Sequence, residues 1–170
     1  IILLLGIIAG LCSPVHAKPP DPERLRFLMK FAAEGLEVNA DEVPLPRIVY
    51  LSNEELQEHY LGSSILSYAV RKNILKIVPG LALYSFYREV MELIEGVDYT
   101  DPDKEYILVH ELVHYLQLVY RKLHLDKVRC LRETERVAYR IGNLWALATG
   151  HGHVYNGATI FHRSQCFDDE

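Results

Sequence analysis

The sequence has few cysteines, no cluster of basic residues and no long hydrophobic run. Three cysteines in 170 residues are too few for a small scaffold held together by disulfides. With 18 Lys and Arg against 23 Asp and Glu, the chain lacks the positive surface that binds nucleic acids or anionic membranes, so neither is expected as a partner. A hydrophobic content of 49% is too high for a disordered chain, and the composition therefore predicts a folded protein.

Residues 1–17 are strongly apolar and carry no charge. Their apolar run is about 12 residues long, whereas a membrane-spanning helix needs roughly 20. Small residues at Val15 and Ala17 fit the −3 and −1 positions of a signal-peptidase site. We therefore expect residues 1–17 to be an export signal cleaved after Ala17, which predicts a periplasmic or secreted protein without a membrane span. Because no basic residues precede the run, a membrane anchor is the alternative.

The remaining residues, 18–170, are enough for one hydrophobic core, and we expect a single α+β domain there. Apolar periodicity and turn residues predict helices over 22–38, 53–61, 102–123 and 131–149, and strands over 47–51, 81–85 and 89–94. The last two strands would form a hairpin, although a helix over 83–95 is a rival. Residues 65–78 fit either a strand or a helix, and the chain after Gly150 resembles a loop.

The predicted helix 102–123 carries the residues with the clearest chemistry. Its apolar residues lie nearly all round the helix, which predicts burial on most sides. Within it, His110, Glu111 and His114 form an H-E-x-x-H pattern, and the two histidines share one helix face. Burying two imidazoles and a carboxylate is costly unless they are paired, and binding a Zn²⁺ ion would satisfy all three.

A catalytic zinc needs a third protein ligand. The extended pattern H-E-x-x-H-x-x-G-x-x-H is absent, because Gln117 replaces its glycine and Tyr120 its last histidine. The next predicted helix offers Glu133 and Glu135 instead. Residues two apart on a helix point to different faces, so only one of these two glutamates can reach the metal.

The residues His110–His114 and Glu135–Tyr139 resemble the gluzincin metallopeptidases, especially the small minigluzincins, in which H-E-x-x-H is followed by a Glu in an E-x-x-A context on the next helix. They also resemble uncharacterised exported bacterial proteins with a zincin-like fold. The resemblance implies a small mixed or antiparallel sheet ahead of the active-site helix. It also implies zinc bound by His110, His114 and Glu135, with Glu111 as general base. Larger gluzincins often carry an Asp at the position of Tyr139, which leaves open what orients the ligands here.

Several further residues are candidates for supporting roles. Tyr139, His151, His153 or Tyr155 could stabilise an oxyanion, and either His151 or His153 could instead be a fourth ligand that closes a structural site. In an exported protein Cys130 and Cys166 are a candidate disulfide, with two free thiols as the alternative. Residues 90–94 could be an edge strand that pairs with an extended peptide.

Together these features predict an exported zinc metallopeptidase that acts on peptides or proteins. The alternative is a non-catalytic exported domain that binds zinc or another protein. A third function is a zinc hydrolase acting on a non-peptide amide, such as cell-wall material. The sequence does not indicate the oligomeric state.

Overall fold

A computed structural model of the chain describes residues 20–62, 82–85, 89–124, 131–152 and 154–164. The expected export signal, the ambiguous stretch 65–78, His153 and the candidate disulfide Cys130–Cys166 lie outside these residues. Among the described helices, none combines the length and apolarity that crossing a membrane requires.

The protein is an α+β structure, as the sequence predicts. Its elements in chain order are α1 (Pro22–Gly35), β1 (Arg47–Leu51), α2 (Asn53–Gly62), β2 (Ala82–Ser85), β3 (Val90–Ile94), a 3-10 turn (Pro102–Lys104), α3 (Glu105–His124), α4 (Leu131–Ala148) and α5 (Gly157–Ser164). The expectation of a loop after Gly150 is wrong for α5. This helix packs against α4, with Ile160 across a groove from Leu144 and Leu147, and such tertiary packing stabilises a helix too short to form alone.

The three described strands form one sheet in the order β1-β3-β2. The predicted hairpin is confirmed, because β2 pairs antiparallel with β3, and the rival helix over 83–95 is wrong. An entirely antiparallel sheet is also wrong, since β1 runs parallel to β3. The expectation that residues 90–94 form an edge strand is wrong as well. β3 is the central strand, and its backbone is already paired on both sides, so it cannot receive a peptide.

Two helices begin with the signals expected from the sequence. Ser52 and Glu55 form a reciprocal capping box at α2, in which each side chain accepts a hydrogen bond from the backbone N–H of the other. Asp101 accepts a hydrogen bond from the N–H of Asp103 and caps the 3-10 turn ahead of α3. The helix predicted from residue 102 therefore starts as a tighter turn and becomes α-helical at Glu105.

The ends of α1 and α4 have similar geometry. Glu37 has a positive φ of 58°, and the next residue, Val38, donates its N–H to the carbonyl of Ala33, so α1 ends before the predicted residue 38. At α4 the predicted stop is confirmed. Gly150 has a φ of 88°, and the N–H of His151 closes the helix end on the carbonyl of Ala146.

Helix α3 lies at the centre of the core. All its residues from Ile107 to Leu116 are buried, as the apolar pattern predicts. Helix α1 packs against α3, and Arg24 of α1 forms a two-pronged ion pair with Glu105 at the start of α3, with N–O distances of 2.6 and 2.7 Å. Helix α4 packs along the same helix and presents its own first turns to the middle of α3. This α3–α4 contact brings the predicted site residues together.

Candidate metal centre

His110, His114 and Glu135 converge at the contact between α3 and α4. The two histidines lie one turn apart on α3, so both imidazoles project from the same face, with 3.2 Å between their Nε2 atoms. Glu135, near the start of α4, places its two carboxylate oxygens 3.4 Å from Nε2 of His110 and 3.3 Å from Nε2 of His114. These three residues form a group that could hold a metal ion.

The spacing of the donor atoms fits a tetrahedral metal. Ligand atoms about 2.0 to 2.1 Å from a tetrahedral Zn²⁺ ion lie roughly 3.3 Å from one another. The two Nε2 atoms are 3.2 Å apart, and each lies 3.3 to 3.4 Å from one of the two oxygens of Glu135, which is close to this value. Two imidazole nitrogens and a carboxylate are also ligand types that divalent transition metals prefer. The residues present therefore fit such an ion in both chemistry and distance.

The charges of the group show how protons compete for the same atoms. Burial lowers the pKa of His114, but the Glu135 carboxylate and the charge of Glu111 raise it by more than burial lowers it. The net pKa of His114 therefore lies above its usual value. Burial also raises the pKa of Glu135, but both histidines outweigh that effect and hold the pKa well below its usual range. A metal ion at this group would therefore compete with protons for the same ligand atoms.

The imidazole of His114 is oriented by hydrogen bonds. Its Nδ1 lies 3.0 Å from Oε1 of Gln117, one turn further along α3. The amide of Gln117 donates in turn to the backbone carbonyl of Thr134 on α4, at 3.2 Å. Because the carbonyl requires the NH₂ group, the amide oxygen must face His114 and accept the Nδ1 proton. That proton leaves the lone pair on Nε2, the atom that faces Glu135.

The imidazole of His110 is oriented by aromatic rings. The ring of Tyr139 lies 4.5 Å away between centroids, and that of Tyr155 lies 5.7 Å away. The two tyrosine rings also contact each other, at 4.6 Å. Nδ1 of His110 is buried without a hydrogen-bond partner among the described residues. On the Nδ1 side, packing against the rings therefore helps to hold the plane of this imidazole.

Glu111 is buried beside the group. Its charge contributes to the raised pKa of His114 on one side and to that of Tyr99 on the other. Burial raises the pKa of Tyr99 to about 12, and the Tyr99 hydroxyl accepts a hydrogen bond from the N–H of Ile94 at the end of β3. Glu111 is therefore buried close enough to both His114 and Tyr99 to interact with them electrostatically.

The other candidate residues separate into those near the centre and those away from it. Tyr139 and Tyr155 lie beside His110, but His151 is paired with Asp103, with 3.1 Å between Nδ1 and Oδ1. The side chain of Glu133, like His153, lies outside the described part of the chain.

Two residues at this site were missed at the level of sequence. Gln117 was noted only for replacing a glycine, although its position three residues after His114 places it within reach of that imidazole. Asn143 is a buried polar residue on the apolar face of α4, and a polar residue at an apolar position was the sequence signal that could have identified it.

No protein-family model matches the chain, and no curated protein or solved structure matches it either.

Proposed function

We propose that the protein is an exported zinc-dependent hydrolase that cleaves peptide bonds. The observation that carries the proposal is the convergence of two imidazole nitrogens, from His110 and His114, with the carboxylate of Glu135, which places one of its oxygens 3.3 to 3.4 Å from each nitrogen. The buried carboxylate of Glu111 beside them supplies the base that such a reaction needs. Two histidines and one glutamate are the ligand set of known zinc peptidases, which favours zinc over other divalent ions.

The roles of the chain's own residues follow from their positions. When bound, the ion lowers the pKa of a water molecule and polarises the carbonyl to be attacked. Glu111 accepts the proton of the attacking water on its carboxylate and passes it to the nitrogen of the leaving amine. The hydroxyl of Tyr139 or Tyr155, whose rings lie beside His110, is the candidate donor to the oxygen of the substrate carbonyl.

An open site supports turnover over a purely structural role. Within the described ranges the group contains three metal ligands, and a catalytic zinc site keeps its fourth position for water or substrate. Glu135 is 32% exposed, whereas the two histidines are almost completely buried, so the carboxylate side of the group faces solvent. His151, a candidate fourth ligand, is paired with Asp103 instead.

The test combines metal analysis with hydrolysis of a mixed peptide library. We expect the wild-type protein to hold one zinc ion and His114→Ala to lose it. Glu111→Gln should retain zinc and lose hydrolysis by about 10²- to 10⁴-fold, because general acid–base catalysis contributes that much. Glu105→Gln is the matched control, since Glu105 is also buried on α3 but pairs with Arg24. This variant should keep both zinc and activity.

Each outcome of the test has a distinct meaning. A wild-type protein without stoichiometric zinc contradicts the proposal. Zinc without cleavage favours the non-catalytic binding domain. Cleavage of a cell-wall fragment, with no cleavage of any peptide, favours the hydrolase of non-peptide amides.

A further inference from the structure

The side chain of Asn143 on α4 holds a segment of the chain that belongs to no helix or strand. Its Oδ1 accepts hydrogen bonds from the backbone N–H groups of Val154, at 3.1 Å, and Tyr155, at 2.8 Å. Its Nδ2 donates to the carbonyl of Tyr155, at 2.8 Å. Asn143 is only 6% exposed, and the two N–H groups and the carbonyl leave its amide a single consistent orientation.

The segment held by Asn143 follows the end of α4. The described residues between Gly150 and Gly157 form no helix or strand, and both Gly150 and Gly152 have positive φ angles. At the beginning of the segment, Nδ1 of His151 lies 3.1 Å from Oδ1 of Asp103. Further along, the three hydrogen bonds of Asn143 hold the backbone of Val154 and Tyr155 against α4.

The residue before Asn143 makes room for the ring of Tyr155. A Cβ atom on Gly142 would lie 3.3 Å from Cε2 of Tyr155 and 3.2 Å from the backbone oxygen of Tyr106, both closer than ordinary contact. The Tyr155 ring also meets the ring of Tyr106 edge-on, with centroids 5.3 Å apart. Adjacent residues of α4 thus accommodate the ring and bind the backbone of the same tyrosine.

From this arrangement we infer that Asn143 is a positioning residue, which acts through Tyr155 to hold the imidazole of His110 in the orientation that binds the metal. His110 depends on this support, because its Nδ1 has no hydrogen-bond partner in the described structure and its ring is bounded by Tyr139 and Tyr155. Asn143 touches neither the metal ligands' donor atoms nor a reacting group. The effect on metal binding rests on the proposed metal centre. The clamp itself, which consists of the hydrogen bonds of Asn143 to Val154 and Tyr155, can be tested without metal.

The test measures Co²⁺ binding by the purified protein, since Co²⁺ replaces zinc and has a visible spectrum that depends on ligand geometry. Asn143→Leu, which has a similar size and makes no hydrogen bonds, should weaken Co²⁺ binding by about tenfold and alter the spectrum, as expected for loss of a residue that orients a ligand. Asn143→Asp keeps the acceptor for both N–H groups and should restore part of the affinity. Leu144→Ala is the control, because Leu144 is the exposed next residue of α4.

A second measurement keeps the inference separate from the proposed function. In the metal-free protein, the NMR signals of the His110 imidazole are sensitive to the ring current of Tyr155. They should shift in Asn143→Leu and stay in place in Leu144→Ala. If Asn143→Leu does not fold, Asn143→Ala, which also lacks the amide, carries both measurements. Failure of the wild-type protein to bind metal would contradict the proposed function alone, whereas unchanged His110 signals or unchanged Co²⁺ binding in folded Asn143→Leu or Asn143→Ala would overturn the inference.

Discussion

The two histidines of the candidate metal centre lie one turn apart on α3 and are supported by different kinds of contact. His114 is held by a chain of hydrogen bonds that runs through Gln117 to the backbone carbonyl of Thr134. His110 is held between the rings of Tyr139 and Tyr155, and its Nδ1 has no polar partner among the described residues. The imidazole of His114 is therefore oriented by hydrogen bonds, and that of His110 by packing against aromatic rings.

The difference shows that a buried imidazole can be oriented by aromatic rings as well as by a hydrogen bond. A hydrogen bond to Nδ1 fixes both the tautomer and the plane of an imidazole, whereas ring packing fixes only the plane. At His110 the Nε2 atom faces the carboxylate of Glu135, so His110 would bind a metal ion through Nε2 in the tautomer that carries its proton on Nδ1. We expect the polar support to contribute more to metal affinity than the aromatic support.

The largest effect should come from removing either imidazole. His110→Ala and His114→Ala should each raise the dissociation constant for zinc by roughly a hundredfold or more, because structural sites gain about 10 to 16 kcal/mol from three or four ligands. Competition with a chromophoric chelator measures the constant. Equal losses of zinc affinity in the two variants would establish both histidines as ligands. Smaller losses in the variants that follow would then reflect the residues that orient each imidazole. Wild-type affinity in either variant would remove that histidine from the centre.

Breaking the polar support should have the next largest effect. Gln117→Leu removes the hydrogen bonds that the amide makes with Nδ1 of His114 and with the carbonyl of Thr134, so zinc should bind about 10- to 100-fold more weakly. The free energy of unfolding should fall by about 2 kcal/mol, as measured by denaturant titration. Gln117→Glu keeps an acceptor for His114 and should bind zinc within a few-fold of wild type. Tight binding by Gln117→Leu would show that this chain does not orient the ligand.

Removing one ring of the aromatic support should have a smaller effect. An aromatic pair contributes about 0.5 to 1.5 kcal/mol beyond its buried area, so Tyr139→Leu should weaken zinc binding by about two- to tenfold. Tyr139→Phe keeps the ring against His110 and should bind zinc as the wild type does, in the same chelator assay. A loss in Tyr139→Leu as large as that in Gln117→Leu would abolish the contrast between the two histidines.

The smallest effect should come from Gly142→Ala. The new Cβ would push the Tyr155 ring by a few tenths of an ångström and weaken zinc binding by about two- to threefold. The thermal midpoint should barely change, because alanine favours a helix over glycine by about 0.8 to 1.0 kcal/mol and offsets the crowding. Gly157→Ala, where a Cβ would meet nothing within 4 Å, is the control. Identical zinc affinities for the two variants would show that the ring tolerates displacement.

Local patterns predicted the helices and the histidine pair well. The spacing of His110 and His114 places both on one face of a helix, and the apolar residues around them predict its burial, so this half of the centre follows from helix periodicity. The capping residues Asp101 and Ser52 also accept hydrogen bonds from backbone N–H groups only two or three residues further along the chain. The assignment of Glu135 over Glu133, by contrast, depends on a family resemblance. Helix spacing alone shows that the two glutamates cannot both reach the metal, and it does not show which one does.

The remaining features depend on contacts between residues far apart in the chain. The central position of β3 results from parallel pairing with β1, which no local pattern specifies. Helix α5 is short and begins at Gly157, so its propensity alone does not predict it. The clamp of Asn143 on Tyr155 links residues in different elements, and only the packing of α4 shows that this amide is buried.

The only tryptophan of the chain, Trp145, lies on α4 between the rings of Phe27 and Phe31 of α1, with the guanidinium of Arg24 over its ring. It is ten residues beyond Glu135, or roughly 15 Å along the helix. Its fluorescence therefore reports the packing of α1 on α4 and not the state of the metal centre. Tryptophan emission can therefore be used to check that each variant has folded, independently of whether it binds a metal ion.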